Sequence, residues 1–173
     1  MGYEYDYGWA GNFRDGFGPD NGNIFSVMHN EDFSHDVFHY YSSLYRKHTR
    51  NSAADEGVAY TWGNAYYTDE HGEMITQKQL IPQLKLYLQQ HPDASLLELF
   101  TKNPPIFGPT AKVRSLLSSL ICDEIERQKG TDGIKELIDC DKGDDNYFRV
   151  TNALVGIDRS NFNEKVKGLI DKY

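Results

Sequence analysis

The chain has 173 residues, enough for one domain with a real core, and its 39% hydrophobic and 25% charged residues suit a globular protein rather than a disordered one. Lys and Arg number 18 against 26 Asp and Glu, a formal net charge of -8 with no basic stripe to offset it, which speaks against a nucleic-acid partner. No window approaches the ~18 apolar residues of a membrane span. The start, Met1-Gly2-Tyr3-Glu4-Tyr5-Asp6-Tyr7, has neither the basic flank nor the apolar run of a signal peptide. If the chain is trimmed from a longer precursor, an export signal is lost with the removed part, and a secreted or periplasmic protein is then expected.

Residues 1–30 are rich in Gly, Asn and aromatics. Tyr3, Tyr5, Tyr7 and Trp9 alternate as in a half-exposed strand, Pro19-Asp20-Asn21-Gly22 is a turn signal, and residues 24–28 read as a short buried strand. The expectation is a small sheet. A helix follows from about Asp32 or Ser34 to Lys47, on the spacing of Val37, Tyr41 and Leu44, with Phe38 and Tyr45. After the polar break at 48–51, residues 52–62 read as a second helix, whose small side chains permit close packing despite Gly57 and Gly63.

From residue 75 onward every signal is helical. Thr76 with Gln79 and Ser95 with Glu98 are capping boxes, with Pro82 tolerable only near a first turn or a kink. Val113, Leu116, Leu117, Leu120, Ile121 and Ile125 make a wide apolar stripe across 110–128, and Gly130 supplies a stop. Shorter helices are predicted at 132–138, 145–155 and 161–171, the last capped by Asn161 with Glu164 completing the pattern. The fold class expected is α+β and predominantly helical: one domain over 1–173, with a small N-terminal sheet, two helices over 31–68 and a helical bundle over 75–173. Cys122 and Cys140 lack the spacing of a zinc or redox site; they form one disulfide in an oxidising compartment or stay two buried thiols, and two structural cysteines are expected.

The chemistry concentrates in Ser34-His35-Asp36-Val37-Phe38-His39. Residues four apart on a helix lie one above the other, so His35 and His39 can offer nitrogens to one tetrahedral ion. Glu56 is the best third ligand. It comes far enough after His39 for the first helix to finish and a second to lie alongside, and Gly57 beside it allows close approach. An unpaired carboxylate on that small, apolar helix would be costly, and a cation would satisfy it.

His35-Asp36-Val37-Phe38-His39 followed by Asp55-Glu56-Gly57-Val58-Ala59 resembles the gluzincin metallopeptidases of the peptidase-MA-like branch, which carry two histidines on one helix and a Glu-Gly-x-Ala helix afterwards. The likeness extends over roughly 20–173, including Asn152-Ala153-Leu154 and the final helix with Phe162, but only the two ligand motifs are distinctive. It implies a zincin-like fold, Zn2+ as cofactor on His35, His39 and Glu56, and hydrolysis of peptide bonds in a peptide or protein substrate by metal-activated water. The family has Glu after the first histidine, as general base; here Asp36 stands there, one methylene shorter. A misplacement near 1 Å can cost on the order of a hundredfold in rate, so activity is expected to be weakened while metal binding is not. The family also holds the developing oxyanion with a later Tyr or His. Tyr60, Tyr66, Tyr67 and His71 all qualify by position, Tyr60 being nearest to Glu56. Residues 24–28 resemble the edge strand on which such peptidases align substrate.

Other readings compete. A non-catalytic, metal-stabilised module binding a peptide or protein is the main alternative, and a helical interaction domain without metal is a third. His29 as a fourth ligand would make the zinc structural. His48, His71 and His91 read as solvated, and Asp139, Asp141, Asp144 and Asp145 as a polar helix connection rather than a calcium loop. The 12 tyrosines read first as packing groups, with those at 3–7 and 60–67 able to line a cleft.

Overall fold

The structure is a computed structural model that describes residues 33–63, 75–108 and 111–173. The expected strands at 3–9 and 24–28, the turn at 19–22, and His29, Tyr66, Tyr67 and His71 lie outside them. Seven helices occur among the described residues: α1 (Phe33–Tyr45), α2 (Ser52–Gly63), α3 (Gln77–Gln90), α4 (Leu96–Lys102), α5 (Val113–Ile138), α6 (Asp144–Val155) and α7 (Phe162–Ile170). The protein is predominantly helical, as its periodicity predicts.

The stripe on α5 forms the centre. Val113, Leu116, Leu117, Leu120, Ile121 and Ile125 are all buried, and one apolar core runs from Ala53 on α2 to Ile170 on α7. Gly130 breaks the helical conformation (φ 64°, ψ -159°), but the helix resumes at once, so the expected stop is a kink between two helical stretches. At the start of α3 the Gln79 side chain accepts the Thr76 N–H at 2.6 Å, and on α4 the Ser95 hydroxyl accepts the Glu98 N–H at 3.3 Å. Pro82 lies in the second turn of α3, where it withholds one backbone donor from the helix ladder. Asn161 precedes α7 without capping it through its side chain. Its Oδ1 accepts the Asp158 N–H at 3.0 Å and its Nδ2 donates to the Gly156 carbonyl at 3.0 Å, which closes the α6–α7 turn instead. Cys122 and Cys140 are free, buried thiols.

The packing of α2 on α5 is what positions the site. A Cβ on Gly57 would lie 2.7 Å from Ser118 Cβ and 3.0 Å from the Ser118 backbone carbon, so only glycine lets the two helices approach this closely. Ser118 Oγ donates to the Ala53 carbonyl at 2.6 Å and shares a 2.7 Å hydrogen bond with the Tyr147 hydroxyl, which removes the cost of burying these groups. Asn51 starts α2. Its Oδ1 accepts the Ala53 and Ala54 N–H groups at 3.1 and 3.3 Å, while its Nδ2 donates to the Asp141 and Gly143 carbonyls at 2.9 Å each.

Helix α1 meets the expectation drawn from its pattern only in part: Phe38 packs half-buried against the core. The spacing of Tyr41, Leu44 and Tyr45 does signal a helix, yet these residues are 64%, 58% and 46% exposed. The buried face carries His35, His39 and Ser42. A helix buries a polar face only where partners await it, and here they come from α2 and the chain leading into it.

Candidate metal centre

His35 and His39 stand one turn apart on α1, with ring centroids 4.7 Å apart and planes at 80°. Their Nε2 atoms are 3.0 Å apart. Glu56, on the facing turn of α2, brings Oε2 to 3.6 Å from His35 Nε2 and Oε1 to 3.6 Å from His39 Nε2. Ligand atoms bound at about 2.0–2.1 Å with tetrahedral angles sit about 3.3 Å from one another. The two nitrogens are 3.0 Å apart and each lies 3.6 Å from a different Glu56 oxygen, distances near that value, so the three side chains converge on the scale of a zinc-like ion. The predicted convergence of His35, His39 and Glu56 is present, and all three side chains are at most 12% exposed.

Asp55 organises this face. Its Oδ2 lies 2.7 Å from His39 Nδ1, and Oδ2 also accepts from Arg50 Nε. Oδ1 accepts the Ser42 hydroxyl at 2.6 Å and pairs with Arg46 Nη1 at 3.1 Å. Three hydrogen bonds and the Arg46 ion pair engage the carboxylate, so Asp55 serves to orient His39. With the Nδ1 proton committed to Asp55, a neutral His39 presents an Nε2 lone pair toward His35 and Glu56.

The electrostatics favour the same forms. Burial holds the His39 pKa below its ordinary value, although Asp55 and Glu56 pull it upward, so the imidazole stays neutral as a ligand must be. Burial alone would raise the Asp55 carboxyl, but the hydrogen bond from His39, with the Arg50 charge and the Ser42 hydroxyl, outweighs it and pushes the pKa down. Glu56 follows suit: burial opposes ionisation, and His35, His39 and Arg50 hold its carboxyl well below the ordinary range.

One expectation changes. A cation was needed to satisfy Glu56, and a side chain already supplies one, because an Arg50 NH2 donates to Glu56 Oε1 at 2.6 Å. Two acids, Asp55 and Glu56, face two guanidinium groups, Arg46 and Arg50, so charge balance alone does not require a metal. The geometry of the three donors is the stronger argument.

The remaining candidates fall as follows. Asp36 lies on α1 between the two histidines, and its side chain is not among those described. The Tyr60 ring is 5.7 Å from His35, and its hydroxyl accepts the Lys112 N–H at 3.2 Å. His48 is exposed and 3.3 Å from Asp139, and His91 packs on Tyr87 with centroids 4.4 Å apart. The acids at 139–145 have separate duties: Asp139 accepts the Lys47 N–H at 2.6 Å, Asp141 the Lys142 N–H at 2.7 Å, Asp144 pairs with Arg114, and Asp145 with Arg159 at 2.9 Å. Sequence reasoning gave Asp55, Ser42, Arg46 and Arg50 no role at the site. The available signal was a pair of adjacent acids inside a helix otherwise built of small residues. No family model, curated protein or solved structure matches this chain, so its functional reading rests on the geometry of this site.

Proposed function

We propose that the chain is a zinc-dependent peptidase-like protein of gluzincin type acting on a peptide or protein substrate. The observation that supports this most is the meeting of His35, His39 and Glu56 with Asp55 behind His39, a carboxylate–histidine arrangement common at metal centres. A zinc ion held there would supply Lewis acidity, polarising the scissile carbonyl and making a water nucleophilic near neutral pH. The chain's own residues do the rest. Asp55 fixes the His39 tautomer, Asp36 acts as general base from the helix that carries both histidines, and Tyr60 is the first choice as oxyanion donor.

A second reading, a non-catalytic metal-stabilised module that binds a peptide or protein, is favoured by one residue. Asp36 is a methylene shorter than the glutamate that the resemblance calls for. The test is digestion of a mixed peptide library, read by mass spectrometry. Slow cleavage that chelation and His39→Ala both abolish, and that rises in Asp36→Glu, is expected for the peptidase. An Asp36→Glu protein that holds its ion and cleaves nothing would contradict it in favour of the binding module.

A further inference from the structure

Arg50 is the side chain around this centre whose role goes beyond charge balance. It lies in the connection between α1 and α2, and its one guanidinium touches two consecutive carboxylates: Nε donates to Asp55 Oδ2 and an NH2 to Glu56 Oε1. Successive residues on a helix point about 100° apart. Bridging both therefore takes a planar fork with donors on two edges, which Arg has and Lys lacks. The fork reaches the group that orients His39 and the acid that completes the donor set. It approaches Glu56 at Oε1, the oxygen 3.6 Å from His39 Nε2, while Oε2 lies 3.6 Å from His35 Nε2.

We propose that Arg50 is a positioning residue that makes Glu56 a one-oxygen ligand and so biases the centre toward four-coordinate, zinc-type ions over hard cations such as manganese, magnesium and calcium. The inference rests on the metal-centre reading above. Hard cations collect six or more oxygen ligands and profit from a carboxylate that turns both oxygens to the ion. With Oε1 accepting a guanidinium N–H at 2.6 Å, part of that oxygen's electron density is committed to Arg50, which makes Oε1 the weaker donor to an ion and leaves Oε2 the stronger one. Two simpler roles make different predictions. If Arg50 only neutralises buried acid, any cation at position 50 will serve. If it chiefly repels a dication, its removal will tighten every metal.

The experiment uses the whole chain, stripped of metal and titrated separately with zinc and manganese in competition with a chromophoric chelator. Wild type, Arg50→Lys and Arg50→Met are compared, with the thermal midpoint of each metal-free protein as the fold control. Zinc affinity should fall about 10–100-fold in both variants. Manganese affinity should fall much less, so the zinc-to-manganese ratio contracts, and Arg50→Lys should not restore it. Cobalt(II) bound to wild type should give the intense visible bands of a four-coordinate ion, weakened in Arg50→Lys, which tests the idea even if Arg50→Met does not fold. An unchanged ratio in Arg50→Lys, an equal loss of both ions, or tighter zinc binding without Arg50 would each overturn it. Wild type that binds neither ion would instead overturn the metal centre itself.

Discussion

Asp55 Oδ2 stands 2.7 Å from His39 Nδ1, and that contact decides which nitrogen of His39 faces His35 and Glu56. Asp55→Asn keeps the shape but can present an N–H where an acceptor is needed, so the imidazole loses the partner that sets its tautomer. Zinc affinity should drop by about 10–100-fold. A chelator-competition titration checks it, and unchanged affinity in a folded Asp55→Asn protein would remove Asp55 from the account.

Gly57 sits where α2 crosses α5, with no room for a methyl group beside Ser118. Gly57→Ala should destabilise the protein by about 1–3 kcal/mol through overpacking. For a chain of this size that is a fall of about 2–4 °C in Tm per kcal/mol. Because Glu56 rides on the same turn, metal affinity should weaken with it, and calorimetry on the metal-free and metal-loaded protein reads both effects.

Glu124 ties the end of the chain to α5. Hydrogen bonds from Arg127 lead the causes that bring its carboxyl down to about 2, with Lys172 and Gln128 adding to them against the effect of burial. A pKa depressed on folding gives stability that is present above the unfolded value of about 4.3 and is lost as pH falls toward 2. Arg127 and Lys172 are more than half exposed, so solvent screening keeps the contribution small. Urea midpoints at pH 7 and pH 3 should differ less in Glu124→Gln than in wild type.

Both thiols should be unreactive in the folded protein. Burial pushes Cys140 up to about 11 and Cys122 well above its ordinary value, and it is the thiolate that reacts. Iodoacetamide at pH 8 should leave both cysteines unmodified for as long as the fold persists and label both in urea, as counted by intact mass.

Much of the fold was legible because local signals and packing agree. The α5 stripe, the Thr76 and Ser95 starts and the small residues of α2 each name an element that forms. Alpha-helix 1 was legible only as a helix. Its apolar spacing pointed to a buried Tyr41, Leu44 and Tyr45, whereas the buried face holds His35, His39 and Ser42, because Asp55 and Glu56 supply partners that make polar burial favourable. His35, His39 and Glu56 could be found from a four-residue spacing and an adjacent glycine. Asp55, Arg46 and Arg50 could not, since their duties arise from a turn that folds residues 46–51 back over the first turn of α2. Gly130 failed as a stop because a single positive φ redirects the helix, and residues 131–138 still have an apolar face to bury.

The most direct test of the metal centre is elemental analysis with native mass spectrometry on protein purified without chelators. The account predicts one divalent ion per chain, zinc in the absence of an added competitor, lost in His39→Ala while the helical circular dichroism signal persists. Protein free of bound metal after dialysis against micromolar zinc, or a His39→Ala variant that retains the ion at full stoichiometry, would contradict it.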